Sequence, residues 1–194
     1  MIHDEYEIKF MLSKEQYEKL SEIFLDSKRR TFTQTNYYYD THEQKLRKNN
    51  ITARIREKSG KFTGEFKDHS AGTTHSRETR FRVDGVSSVI WYKEDPIYLH
   101  GKLYTKRTEI NICDEVTLTL DHNKYLDAED YELELEYEMP CKESAIAIIL
   151  SLQSVLGRIE LLEPSKPKSE RFFRRLSNQN ILKHEGMVKN ELGK

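Results

Sequence analysis

The sequence predicts an α+β fold that is mainly β: an eight-stranded antiparallel closed barrel with helices packed outside. Three observations carry this prediction. Eight short runs alternate apolar with ionisable or polar residues at the two-residue period of a strand. The runs follow one another mostly in hairpin order, and a barrel of eight strands closes without leaving an edge. Two amphipathic or apolar helical segments, one after the first strand and one near residue 150, need apolar surface to pack on. If they cover the apolar faces from outside, the ionised faces line the interior.

The elements follow in order. Glu5, Glu7 and Lys9 alternate with Tyr6, Ile8 and Phe10 in a first strand that ends near Met11-Leu12. Ser13 with Gln16 three residues on is a capping box, opening a helix to about Leu25 with Tyr17, Leu20, Ile23 and Phe24 on its core face. Thr35–Asp40 is a second strand, with Asn36, Tyr38 and Asp40 on one face, and Ile51–Glu57 is a third, where Arg54 and Arg56 share the polar face. Ser59-Gly60 turns into Lys61–Lys67, where Glu65 and Lys67 oppose Phe62, Gly64 and Phe66. After a polar loop (His69 to Thr74), a fifth strand sets Glu78, Arg80 and Arg82 against Thr79, Phe81 and Val83. Ser87–Tyr92 is expected as a short helical piece carrying the single Trp91. The last three strands are about Gly101–Ile112, then Val116–Asp121, then a run in which Glu132, Glu134, Glu136 and Glu138 alternate with Tyr131, Leu133, Leu135 and Tyr137. Glu143–Leu156 is a strongly apolar helix ending at Gly157, and residues 178–194 form a polar tail expected to be partly disordered or a loose helix.

Composition narrows the function classes. The 194 residues, 36% apolar, show no break in composition over the first 175, and residues 1–177 fit one domain. Charged residues make up 34% of the chain, yet 32 Lys and Arg nearly cancel 33 Asp and Glu, so the charge is paired or sorted by face. That argues against a nucleic-acid partner held by overall positive charge. No apolar run approaches a membrane span and the N-terminus has no apolar leader, so a cytoplasmic protein without membrane attachment is expected. Cys113 and Cys141 lack metal-ligand spacing and read as buried or idle thiols. P-loop, dinucleotide-binding, hydrolase-elbow and zinc-protease motifs are all absent.

A lumen lined by both signs of charge is costly unless its groups pair or are neutralised by ligands. One reading is an internally satisfied salt-bridge barrel. The other is a site for ligands of two kinds. Glu5, Glu7, Glu132, Glu134 and Glu136 are hard oxygen donors suited to Mg²⁺ or Mn²⁺, whereas Arg54, Arg56, Lys67, Arg80, Arg82 and Arg107 suit a chain of phosphates. Metal with polyphosphate satisfies both halves.

Glu5-x-Glu7-x-Lys9 resembles the opening signature of the CYTH superfamily, the triphosphate tunnel metalloenzymes, and the order of later matches makes the resemblance specific. Tyr38-Tyr39-Asp40-Thr41 is similar to the family's second-strand motif, Arg54-x-Arg56 to its basic third strand, Lys67 to its fourth-strand lysine, and Glu78 to its fifth-strand acid. Arg107, Asp121, the Glu132-x-Glu134 pair and the segment Lys166–Arg171 complete the match, which covers residues 1–177 and looks most like a compact bacterial single-domain branch. Arg80, where many relatives carry an acid, and the extra Glu136 and Glu138 depart from the pattern and leave the carboxylate register of the last strand open by two residues.

The resemblance implies a tunnel-shaped barrel and metal-dependent hydrolysis of a triphosphate, with inorganic triphosphate the best fit. Metal ligands would be Glu5, Glu7, Asp121, Glu132 and Glu134. Lys9 would orient water or neutralise the terminal phosphate, assisted by Tyr38, while Arg54, Arg56, Lys67, Arg80, Arg107 and Lys168 would hold phosphates. Thiamine triphosphate hydrolysis, class IV-type adenylate cyclisation and a non-catalytic triphosphate or polyphosphate sensor are the alternatives. No aromatic pair or apolar pocket set aside for a heterocycle is visible in the sequence. A small-molecule triphosphate partner and a monomeric or homodimeric state are expected.

Overall fold

In the computed structural model, described over residues 2–70, 75–138, 141–156 and 163–192, the eight expected strands close into a barrel. β1 (Ile2–Leu12) leads into α1 (Lys14–Ile23) through the expected capping box: Ser13 Oγ accepts from Gln16 N–H at 3.2 Å, and Gln16 Oε1 accepts from Ser13 N–H at 2.7 Å. There follow β2 (Arg29–Asp40), the short α2 (Lys45–Lys48), β3 (Ile51–Lys58), β4 (Lys61–Asp68), β5 (His75–Arg82) and β6 (Val89–Tyr92). β7 (Asp95–Cys113), β8 (Val116–Tyr125), β9 (Ala128–Tyr137), α3 (Lys142–Leu156), β10 (Glu163–Pro164) and α4 (Lys168–Leu192) complete the order.

The strands run antiparallel around the barrel as β1-β5-β4-β3-β2-β7-β8-β9, and β9 returns to β1 with Tyr6–Leu12 against Tyr137–Tyr131. β1 can pair on both sides because it is long: one edge serves β9, the other β5 through Ile2–Tyr6 and β10 through Phe10 and Met11. The main apolar core lies outside this barrel. Leu118, Leu120, Leu133 and Leu135 on β8 and β9 are fully buried against Leu20 of α1 and Ala145, Ile149 and Leu152 of α3. Two helices on that wall therefore turn its apolar side chains outward and leave the alternate, ionisable ones facing in, as the alternation requires.

The opposite wall is covered differently from what the sequence predicts. Ser87–Tyr92, expected to be helical, instead supplies β6, because Val89, Ile90, Trp91 and Tyr92 are β-branched or aromatic and find a partner strand directly after a two-residue loop. Lys93 in that loop takes the left-handed φ of 54°, and Ile90 and Tyr92 then pack with Tyr39, Ile55 and Ile97 over the outside of β2 and β3. The hairpin, together with Leu46 of α2, thus covers this half of the barrel.

α4 closes one end. Its Phe172 is fully buried against Tyr38 and Leu103, facing Gly101, where a Cβ would come within 2.8 Å of the Phe172 ring. The register between β2 and β7 shifts at Tyr38/Tyr39, and Gly101 at that irregularity makes room for the aromatic plug. The polar stretch after Ser177, expected to be disordered or loosely helical, continues α4 to Leu192. Residues 71–74 of the expected polar loop and Gly157, the expected end of the apolar helix, fall outside the described residues.

Candidate active site in the barrel lumen

Of the sequence-predicted site residues, all but Asp121, Glu132, Glu78 and Arg82 line one cavity of about 210 Å³ inside the barrel; Glu78 is buried and Arg82 is exposed on the surface. Strand parity puts the lining residues there. Glu5, Glu7 and Lys9 come from β1, Tyr38 from β2, Arg54 and Arg56 from β3, Lys67 from β4, Arg80 from β5, Arg107 from β7, Glu134 from β9, and Lys168 enters from the first turn of α4.

Asp121 and Glu132 sit behind the cavity wall, fully buried and directly opposite each other in the β8–β9 ladder. With Glu134 they form a carboxylate triad whose oxygens lie within 4.8 Å of one another. Lys168 binds all three: Nζ is 3.0 Å from Asp121 Oδ2, 2.5 Å from Glu134 Oε1, and in contact with Glu132. Arg107 bridges Asp121 (Nε–Oδ1 2.9 Å) and Glu134 (Nη2–Oε2 2.5 Å), and Arg171 grips both oxygens of Glu132 at 3.1 Å. Three carboxylates thus meet three cations. Burial alone would push Glu132 and Glu134 up, but Lys168 with Arg171 at Glu132, and Lys168 with Arg107 and Lys9 at Glu134, together outweigh it and both carboxyls are held below the ordinary range. Burial likewise disfavours charge on Lys168 and Arg107, and the surrounding carboxylates more than reverse it, so both are held firmly as cations.

Glu5 and Glu7 form a second acidic group. Lys67 touches Glu5, lies 3.0 Å from Glu7 Oε1 and 3.4 Å from Glu78 Oε1. The five predicted metal ligands are therefore laid out as a pair and a triad, linked by Lys9, which is 2.7 Å from Glu7 and 3.7 Å from Glu134. Glu136 faces Glu7 across the β1–β9 ladder, with 37% of its side chain open to solvent in the lumen. Burial first, then the neighbouring Glu5, Glu134 and Glu7, push its carboxyl up to about 7 against the opposing pull of Arg107.

The β3 side is basic. Glu65, only 2% exposed, carries Arg54 (Nε–Oε2 2.6 Å), Arg56 (3.3 Å) and Arg80 (3.7 Å), and these guanidiniums overcome burial to bring its carboxyl down to about 2. Glu78 is likewise brought down to about 2, burial being outweighed by Arg54 and Lys67. Arg56 is pulled below the usual guanidinium range by burial and by the repulsion of Arg54 and Arg107. Beside them, Tyr38 is fully buried and its hydroxyl finds no hydrogen-bond partner among the described residues, nor does Asn36 Nδ2. Leaving such a group unpaired costs about 1–3 kcal/mol. Burial raises the Tyr38 phenol, so it keeps its proton near neutral pH and can act only as a donor or a neutral acceptor.

Three groups emerge that the sequence prediction gave no role. Glu65 was legible in principle, on the same face of β4 as Lys67, two residues away. Arg171, one turn beyond Lys168 on α4, anchors that helix to Glu132 and to Asp130 (Nε–Oδ2 3.0 Å). Asp40, inside the second-strand motif, is structural: its carboxylate accepts from the backbone N–H groups of Thr41, Leu46 and Arg47 at 2.7, 2.9 and 3.0 Å, capping α2. A further cavity of about 270 Å³ adjoins the lumen, lined by Arg47, Ile51 and Phe173 and sharing Thr52, His69 and Ser169 with it. It is a partly apolar pocket that was not visible in the sequence. Its lining comes from residues 47–52, His69 and residues 167–173, three segments far apart in sequence, so no local pattern announces it.

The CYTH domain family matches residues 3–164 of this chain. A Bacillus subtilis (strain 168) protein named "Putative triphosphatase YjbK" is 28% identical over 148 residues, covering 68% of this chain and 76% of that protein. The crystal structure of a "putative adenylate cyclase" from Bacillus halodurans superposes with a TM-score of 0.72 at 26% identity, covering 89% of this chain and 98% of that one. A Hippeastrum protein described as a "putative adenylyl cyclase" with a dominant triphosphatase activity shares the fold at a TM-score of 0.68 and 19% identity, covering 88% of this chain and 95% of its own.

Proposed function

From the chain's membership of the CYTH domain family, to which it belongs over residues 3–164, we propose that it is a metal-dependent hydrolase of triphosphates, acting on inorganic triphosphate. The observation that carries this reading is the sorting of charge inside one closed barrel, with carboxylate groups on β1, β8 and β9 facing a cationic wall on β3, β4, β5 and β7. Phosphoryl transfer asks little covalent help of a protein and much charge neutralisation and alignment, which this lumen supplies. The name of the Bacillus subtilis relative supports the same activity.

The donor chemistry fits a hard divalent cation, since the carboxylates of the triad converge within reach of a single ion. Glu5, Glu7, Asp121, Glu132 and Glu134 would hold Mg²⁺ or Mn²⁺, with the triad's present counter-cation, Lys168, free to turn toward substrate. When bound, the ion would polarise phosphoryl oxygens. Arg54, Arg56, Lys67, Arg80 and Arg107 bind and align the phosphate chain. Lys9, between Glu7 and Glu134, orients the attacking water and balances charge on the terminal phosphoryl group. Tyr38, protonated and facing the lumen, serves as a hydrogen-bond donor.

A second reading, an organic triphosphate such as thiamine triphosphate or a nucleoside triphosphate, is favoured by the partly apolar cavity beside the lumen. Phosphate release from inorganic triphosphate, thiamine triphosphate and ATP, measured in parallel with Mg²⁺, Mn²⁺ or chelator and with an assay for cyclic nucleotide, separates the readings. Turnover fastest on the inorganic compound supports the first, and preference for an ester supports the second. Tight triphosphate binding that persists in chelator without turnover would make the barrel a sensor.

A further inference from the structure

Tyr38 and Asn36 stand two residues apart on the lumen face of β2, directly opposite Arg54 and Arg56 respectively on β3. The four side chains form a patch with a common property: almost every free polar atom on it is a donor. Asn36 Oδ1 accepts from Arg56 Nε at 3.1 Å, which fixes the amide so that Nδ2 carries both its hydrogens elsewhere. Nδ2 is buried and without a partner, in a residue only 1% exposed. The Tyr38 hydroxyl is equally buried and unpartnered, and the charged groups that act on it most strongly, Arg54, Lys168, Arg171 and Arg56, are all cations with no lone pair to offer.

Two adjacent buried donors that make no hydrogen bond among the described residues, flanked by two guanidiniums, are an arrangement that those residues leave unsatisfied. An acceptor-only tetrahedral oxyanion satisfies all four at once. We propose that Asn36 and Tyr38 are direct ligands of one phosphoryl group of the substrate, donating to its non-bridging oxygens between Arg54 and Arg56. The inference rests on the triphosphate reading and deepens it by naming two neutral recognition residues. Their contribution differs in kind from that of the arginines. Neutral donors add directional hydrogen bonds without adding positive charge to a wall where Arg56 is already repelled by Arg54 and Arg107. They therefore favour correctly oriented phosphoryl oxygens over anionic groups that present fewer acceptors, such as carboxylates.

Calorimetric titration of the full chain with inorganic triphosphate in chelator, alongside thermal melts without ligand, tests this. Tyr38→Phe is expected to weaken triphosphate binding about tenfold while its unliganded melting temperature stays level or rises, because the substitution removes an unpaired buried hydroxyl. Asn36→Asp, which keeps the acceptor for Arg56 but replaces the donor by a carboxylate, is expected to weaken binding by more than Tyr38→Phe does. Wild-type affinity in both variants overturns the proposal, as does a Tyr38→Phe melt that falls in step with binding, since the hydroxyl would then be serving the fold. Wild-type protein that neither binds nor hydrolyses triphosphate would instead overturn the functional reading beneath it, an outcome seen before any variant is made.

Discussion

The two sides of the lumen solve opposite problems. Around Lys168, three carboxylates and three cations saturate one another at contact distances, in a layer where Asp121 and Glu132 have no solvent exposure. Across the cavity, the three guanidiniums of Arg54, Arg56 and Arg80 meet two carboxylates, Glu65 and Glu78, and Asn36 and Tyr38 add donors without an acceptor among the described residues. The first side pairs its charges with one another; the second leaves two buried donors without an acceptor among the described residues. One fold can carry both because strand parity lets any of the eight strands contribute either sign, while the stabilising apolar core is kept outside the barrel. The balanced side bears on stability and cation exchange. The donor-rich side bears on substrate affinity.

That contrast can be broken by mutation, and the largest effect belongs to the balanced side. Glu132→Gln leaves Lys168 and Arg171 facing fewer charges in full burial, and chemical denaturation should show a loss of about 3–5 kcal/mol. A loss below about 1 kcal/mol would mean that the layer relaxes freely. Arg56→Ala on the donor-rich side should act the other way round. With repulsion from Arg54 and Arg107 relieved, the fold should lose little stability, while KM for triphosphate rises about tenfold with kcat nearly unchanged. A fall in kcat at constant KM would move Arg56 from uniform binding to transition-state stabilisation.

Smaller effects come from pH. Glu65 and Glu78, each brought down to about 2, contribute stability that is present above the ordinary glutamate range and lost as pH falls through their folded values. Glu136 has the opposite sign: with its carboxyl pushed up to about 7, the folded state binds the proton more tightly than the unfolded chain, so stability declines as pH rises from about 4.5 to about 7 and stays reduced above. Glu136→Gln should therefore stabilise the protein at pH 8, by about 1 kcal/mol once solvent screening of this partly exposed group is counted, and the gain should vanish at pH 4. Denaturation curves at the two pH values measure it directly.

Much of this was legible in the sequence, for a physical reason. A strand with a two-residue period announces which side chains share a face, so Glu5, Glu7 and Lys9 on β1, or Arg54 and Arg56 on β3, could be assigned to one surface before any coordinates. The helices fixed which surface points inward. What parity does not carry is pairing between strands distant in sequence. It could not say that Lys168 would occupy the Asp121, Glu132 and Glu134 triad, or that Glu5 and Glu7 would turn to Lys67 instead. The Ser87–Tyr92 segment was misassigned because four residues are too few to show a period, and its β-forming composition was the better guide. The cavity beside the lumen was hidden because three distant segments build it.

The central claim is that the lumen carboxylates serve a metal-dependent hydrolysis of triphosphate rather than merely balancing arginines. The most direct test is the initial rate of phosphate release from inorganic triphosphate by wild-type protein and Glu7→Gln, in Mg²⁺ and in chelator, with melting temperatures recorded beside them. Wild type is expected to show turnover that chelator abolishes, and Glu7→Gln a kcat lower by on the order of a hundredfold or more at an almost unchanged melting temperature. Full activity in Glu7→Gln, or wild-type turnover indifferent to chelator, would contradict it.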